Sequence, residues 1–408
     1  MINLILPDHD FDMTKYSTQL SYPPGCSQPS VVNFFPSDWE ERSLSVIRTL
    51  KWLLDECAVS YTVHYASEGI SKDIQYYFPI SFNLDWMFFE NFEYFSLIRD
   101  NNNISFLIYQ GAESIQWETY QHQGRGSISR LEYYISKNQI SPNQVKVICG
   151  DINAKNNSMG ISKIDFLGIN IFELLHHARH REIDMELLVE KKEFLCLNSF
   201  MRFQRQYFIY YLEKFNLYDN GLISALNWSF TVPDEYHHDA CVFDDSLYND
   251  FIDFRNLQTT KVITQNTASA DRMSPGSTMI LDFNSYVGFY QNTKYSIVNE
   301  TYAGKESGLF ITEKTYKPIS MGHPFIIFGT TGTLSQLKKE GYETFPELFD
   351  ESYDDCSEIS EQIKIILENI KTPKTITPEI LEKCQRNKNH FFKQTSRKTI
   401  RQYLENYL

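Results

Sequence analysis

At 408 residues, with 42% hydrophobic and 22% charged residues, the chain is longer than one hydrophobic core normally supports, which predicts two domains and excludes a disordered chain. Its formal charge of −14 argues against indiscriminate polyphosphate binding, because non-specific nucleic-acid affinity comes from Lys and Arg displacing counterions. Apolar runs such as FIIF at 325–328 are far too short to span a bilayer, the opening MINLILPDHD lacks a basic flank, and seven scattered cysteines form no C-x-x-C pair, so a cytoplasmic protein is expected (of a host cytoplasm, if the source is viral).

In chain order, RSLSVIRTLKWLLDEC (42–57) carries Val46, Leu50 and Leu53 at helical spacing, while ISFLIYQG (104–111) and VKVICGD (145–151) read as strands. Their alternation predicts an α/β layer. The charged stretch 173–193 fits either a surface helix or the join between domains. A second α/β series opens at 194–224 with a short apolar strand, a polar turn, an amphipathic helix and a Gly-containing stop. Residues 225–285, rich in Asp and Asn, read as loops with short elements.

The segment 295–329 reads as strand, loop, helix, strand, and it carries the chemistry. Thr312 as N-cap sets Glu313 and Lys314 on the first helical turn, where free N–H groups and the helix dipole favour an anion such as a diphosphate. Lys314 adds a mobile cationic donor, and the Glu313 carboxylate suits ribose hydroxyls. Pro318 removes a bond to the Lys314 carbonyl, so this helix should be short or bent. HPFIIFG then predicts a buried parallel strand whose end, GTTG at 329–332, opens into the same crevice. Further on, Thr333 is expected to cap a helix that Gly341 ends, and Ile359, Ile363, Ile366 and Ile370 mark an amphipathic helix. The segment from Ile380 to Leu408 reads as helical. Within it Lys383, Arg386, Lys388, Lys393, Arg397, Lys398 and Arg401 occur with no intervening acid, either a solvated face or an acceptor patch for an anionic glycan or nucleic acid.

The line IVNETYAGKESGLFITEKTYKPISMGHPFIIFG (297–329) resembles the donor-binding segment of fucosyltransferases and related GT-B glycosyltransferases, in which Phe-Glu-Asn is followed by Tyr-(Ile/Val)-Thr-Glu-Lys, a helix, a Gly and a Pro-Val-Val strand. By motif, Glu300 stands at the first acid, Thr312, Glu313 and Lys314 at the triplet, and Pro324 and Phe325 at the strand start. Thr301 replaces the family's Asn, and the loop from Glu300 to Glu313 is longer than usual, so the sugar is left open. The line, with GYETFPELFDESYD after it, is similar as well to glycosyltransferase-like proteins of tailed phages and aquatic bacteria. That group begins its second domain with Leu-Asn, Arg, then His-Arg, which CLNSFMRFQRQ matches with Arg202 and Arg205, Gln204 standing for His.

The resemblance implies an α/β GT-B fold of two Rossmann-like domains facing a central cleft: 1–190 binding the acceptor, 191–379 binding a nucleotide sugar, and 380–408 a C-terminal helix packing back on the first domain. It implies transfer of a sugar from a nucleoside-diphosphate donor to an acceptor hydroxyl, inverting, with no metal or other cofactor and the nucleotide sugar as co-substrate. Glu300, Thr312, Glu313 and Lys314 with Arg202 and Arg205 would bind the donor, an arginine clamping the diphosphate. Asp85, Glu90 and Asp151 are the candidate bases, none singled out. A glycan is the first-choice acceptor. The alternatives are a phage-type glycosyltransferase acting on hydroxymethylpyrimidine bases of DNA, which the net charge disfavours, and a non-catalytic nucleotide- or glycan-binding module. His176 and His180 lack the Glu of H-E-x-x-H, and the acidic pairs Asp10/Asp12 and Asp244/Asp245 read as loop residues, so no metal site is expected.

Overall fold

In the computed structural model of the chain, the described residues are 1–6, 54, 57–81, 94–110, 127–149, 162–165, 192–198, 203–224, 288–304, 309–394 and 397–407. The chain divides into two compact units, one of residues 1–172, 274–278 and 395–408, the other of 173–273 and 279–394. Both are mixed α/β units built on parallel sheets.

The first unit holds strands β1 (Ile2–Leu6), β2 (Tyr61–Tyr65), β3 (Tyr76–Ser81), β4 (Ile104–Gln110), β5 (Val145–Cys149) and β6 (Ser162–Asp165), all parallel, in the order β2-β1-β3-β4-β5-β6. Alternate residues of these strands supply one continuous apolar face: Ile5, Tyr76, Phe78, Phe106, Ile108 and Val147. Against it pack Phe95 and Ile98 of helix α1 (Phe95–Arg99) and Leu131, Tyr134 and Ile135 of helix α2 (Ser127–Lys137). Buried Gln144 pins α1 to β4, its Nε2 donating to the carbonyls of Ile98, Asn101 and Ile104 at 2.6, 3.0 and 3.0 Å. Strand order reverses at β1, which has β2 on one side and β3 on the other, and ligands of open α/β sheets lie beyond the strand ends at such a point. Asp85 and Glu90 follow β3 in sequence and Asp151 follows β5, but all three lie outside the described residues. The helix expected at 42–57 also falls outside them, apart from Leu54, which is helical and buried, and Cys57, which is buried in a turn.

The second unit has β7 (Lys192–Cys196), β8 (Gly221–Ile223), β9 (Thr293–Gly304) and β10 (Phe325–Thr330), parallel in the order β10-β9-β7-β8. Helix α3 (Phe203–Lys214) joins β7 to β8 and α4 (Glu313–Met321) joins β9 to β10. Then come α5 (Thr333–Lys339), α6 (Ile359–Lys371) and α7 (Pro378–Gln394), while α8 (Arg397–Tyr407) belongs to the first unit. Strand β9 is buried along almost its whole length, as a central parallel strand covered on both faces must be.

Two sequence expectations change here. Helix α3 is not amphipathic: every residue from Gln204 to Leu212 is buried, including three polar ones, because it is enclosed on all sides. The left-handed residue that ends it is Asn216 (φ 56), not a glycine; Gly221 instead opens β8. The C-terminal segment is helical over 378–394 and 397–407; α7 packs on α4 within the second unit, and α8 falls in the first. The stretches 173–191 and 225–285, with His176, His180, Asp10, Asp12, Asp244 and Asp245, lie outside the described residues. Among the described residues no helix is long and apolar enough to cross a membrane.

Candidate functional site

The second sheet reverses at β7, flanked by β8 and β9, and its strand ends carry a buried polar cluster. Just past β7, the Asn198 N–H donates to Ser224 Oγ at 2.9 Å and its Nδ2 to the Ser224 carbonyl at 3.1 Å. Asn299 of β9 donates through Nδ2 to Asn198 Oδ1 at 2.9 Å. These bonds tie three adjacent strands together. Burial pushes the neighbouring Cys196 thiol up to about 12, despite the Asn198 bond and the Arg205 charge, so it offers no thiolate near neutral pH.

Beyond Asn299, β9 loses register with β10 until Gly304, and Glu300 is the first residue of the break. This side chain is 1% exposed, yet its carboxylate is fully met. Oε1 accepts from the Thr312 N–H at 3.0 Å and the Thr315 hydroxyl at 2.7 Å. Oε2 accepts from the Thr301 N–H at 3.1 Å and the Thr312 hydroxyl at 2.6 Å. Four donors are about what an ionised carboxylate can accept, so Glu300 fastens the start of α4 to the end of β9. Gly329 of β10 permits the approach, since a Cβ there would lie 3.3 Å from the Glu300 Cβ and Cγ.

Helix α4 forms as its sequence predicts. Thr312 is the N-cap, extended at φ −109, ψ 179, and its Oγ1 accepts the Lys314 N–H at 3.3 Å. The helix is nine residues long, contains Pro318, and stops at Gly322, whose left-handed φ of 68 lets the His323 N–H reach back to the Pro318 carbonyl at 2.9 Å. Buried His323 then ties the turn to β9, through Nδ1 to Ser296 Oγ (2.9 Å) and Nε2 to the Thr293 carbonyl (3.0 Å).

Above this base sits a cation with some exposure to water. The Lys314 ammonium donates to Thr301 Oγ1 (3.2 Å), Thr312 Oγ1 (3.3 Å) and Glu313 Oε1 (2.7 Å); the Lys314 and Glu313 side chains are 27% and 37% exposed. Burial works against ionisation of Glu313, but the Lys314 and Lys317 charges, the Lys314 hydrogen bond and its own backbone N–H outweigh it and hold the carboxyl down to about 2.

Arg205 reaches the same bend from α3. It was expected on a helix face turned to a crevice; it is 3% exposed and donates through Nε (3.3 Å) and Nη2 (3.0 Å) to the Glu300 carbonyl. Gln204, standing where the resemblance has His, donates to the next carbonyl, Thr301, at 2.8 Å. Arg205 and Lys314 thus converge on consecutive residues of β9, one holding backbone and the other on the more exposed side. Arg202 lies outside the described residues.

The start of α5 is filled from within the chain, and three cations of the basic run are paired. The amides opening α5 donate to Asp354: Leu334 N–H to Oδ1 (2.9 Å) and Ser335 N–H to Oδ2 (3.0 Å). The N-cap is Gly332 rather than Thr333, and Asp354 stands where a bound anion would. In the basic run, Arg386 pairs with Glu343 (2.6 Å), Lys383 with Glu347 (2.6 Å) and Arg401 with Glu405 (2.8 Å), while Lys388 is buried. The sequence showed no acid among these cations because two of the acids arrive from a separate loop.

No protein-family model matches the chain, and no curated protein matches it. It is similar to a crystal structure of an alpha1,3-fucosyltransferase, at 10% sequence identity over 97% of this chain and 89% of that one, with a TM-score of 0.34. So remote a likeness decides nothing about the site, which stands on its own geometry.

Proposed function

We propose that the chain is a glycosyltransferase of GT-B type, moving a sugar from a nucleoside-diphosphate donor to an acceptor hydroxyl. The observation that carries this reading is the Glu313–Lys314 pair, partly exposed on the first turn of α4, beside the point where a parallel sheet reverses, and braced beneath by a buried carboxylate. In this reading Lys314 turns from Glu313 to the diphosphate, and Glu313, freed, accepts from ribose hydroxyls. Negative charge grows on the departing diphosphate as the bond to the anomeric carbon breaks, so Lys314 binds the transition state more tightly than the ground state. Arg205 contributes from behind, by fixing the backbone on which Lys314 rests. A carboxylate of the first unit, Asp85, Glu90 or Asp151, takes the acceptor proton in an in-line, inverting attack. No step calls on a metal. A glycan acceptor is preferred over DNA, since the cations at 383 and 386 are engaged by Glu347 and Glu343.

A second reading, a non-catalytic nucleotide- or glycan-binding module, draws on the burial of Arg205 and the filled end of α5. Turnover separates the two. Purified protein incubated with a panel of nucleotide sugars is expected to release nucleoside diphosphate slowly, and Lys314→Ala or Glu313→Ala to abolish the release. In the same panel a nucleoside diphosphate at a hundred times its dissociation constant should stabilise the chain by about 2.7 kcal/mol. Stabilisation without release selects the binding module; neither response removes both readings.

A further inference from the structure

We propose that Glu300 is a positioning residue: it sets the hydrogen-bonding sense of Thr312 and the placement of Thr301, and through them fixes the Lys314 ammonium. The inference deepens the reading above, in which Lys314 faces the donor. A carboxylate only accepts, so the Thr312 hydroxyl must give its single proton to Oε2, at 2.6 Å. Its lone pairs are thereby turned to Lys314, whose backbone N–H and Nζ both donate to it at 3.3 Å. Thr301 is held through both of its backbone polar groups. Its N–H goes to Glu300 Oε2 (3.1 Å), its carbonyl takes Gln204 Nε2 (2.8 Å), and its hydroxyl is presented to Lys314 Nζ at 3.2 Å.

An ammonium has three protons, and three oxygens meet them: Thr301 Oγ1, Thr312 Oγ1 and Glu313 Oε1. Two of the three owe their direction to Glu300, and only the third, Glu313, has to be exchanged for a ligand oxygen. Glutamine at 300 keeps the shape but reverses this logic. Whichever oxygen becomes NH2 faces one backbone N–H, which cannot turn, and one threonine hydroxyl, which must turn round to accept. With the NH2 at the Oε2 position the Thr312 hydroxyl turns away from Lys314 and the Thr301 N–H is repelled; at the Oε1 position the Thr312 N–H faces a donor, which displaces the residue whose hydroxyl supports Lys314.

The test is residue-specific labelling. Wild type and Glu300→Gln are treated with a low dose of acetic anhydride, and acetylation of Lys314 and of exposed Lys364 in the same unit is followed by peptide mass spectrometry. Lys314 is expected to react about tenfold faster in the variant, the order of one hydrogen bond to a charged group, with Lys364 unchanged. An unchanged Lys314 rate overturns the proposal, and so does a rise shared equally by Lys364, which signals general loosening. If circular dichroism shows Glu300→Gln unfolded, Thr301→Val decides: it removes one oxygen under Lys314 but keeps the Thr301 N–H on Glu300, and no rise at Lys314 overturns the proposal. Labelling needs no ligand. A parallel melt of wild type with UDP, GDP and CDP bears on the donor reading alone, so the two can fail separately.

Discussion

Glu313 keeps its charge in the folded chain down to about pH 2, against an ordinary value of 4.5, because two lysines and two hydrogen bonds outweigh its burial. A depressed carboxylate stabilises the fold fully above its unfolded pKa and loses that contribution as pH falls through the folded value. Glu313→Gln should therefore be less stable than wild type near neutrality, with the gap closing between about pH 4.5 and 2 in urea titrations. The gap should be modest, since a side chain 37% exposed is screened by water, and a gap that does not vary with pH refutes the pairing. What the sequence revealed at this scale is local. Thr312, Glu313 and Lys314 were legible because cap chemistry is written within three residues. The engagement of Glu300 was not, since its donors come from positions 301, 312 and 315, nor that of Arg205, whose acceptor is 95 residues away.

Among the elements, the α4–β10 unit was readable because its punctuation is explicit: an N-cap threonine, an interior proline, a left-handed glycine and an unbroken apolar strand. Helix α3 was misread because periodicity records only which residues are apolar. A helix enclosed on all sides can bury Gln204 and Arg205 when the β9 backbone supplies acceptors for them. Helix α5 shows the same limit at its start, where the cap is an aspartate twenty residues from the first amide it holds. Burial raises the Asp354 carboxyl above its usual range, although the Leu334 and Ser335 N–H groups pull it down. Asp354→Ala should leave those two amides unmet and destabilise the chain by about 1–2 kcal/mol, read as a lower urea midpoint at unchanged slope. An unmoved midpoint would mean that water caps α5 equally well.

At the scale of the whole molecule, the chain does not finish where its second half folds. Helix α7 stays with the second unit, packed on α4, its Asn387 bonded to the backbone of Glu343 in both directions (2.8 and 2.7 Å). Helix α8, only a few residues later, belongs to the first unit and buries Leu404 to 2% exposure. The terminal helical segment thus serves two units. Composition does not reveal this division, because 380–408 reads as helical throughout. The consequence is specific to a unit. Ending the chain at Gln394 removes from the first unit a helix whose Leu404 burial alone is worth about 1.5–3 kcal/mol, and leaves α7 in place on α4. Hydrogen exchange should then accelerate across β3, β4 and β5 while the amides of β9 and β10 keep their protection, because strand amides exchange through opening of the unit that holds them. If β9 and β10 lose protection in step with β3 to β5, the two units unfold as one, and α8 stabilises the whole chain rather than the first unit.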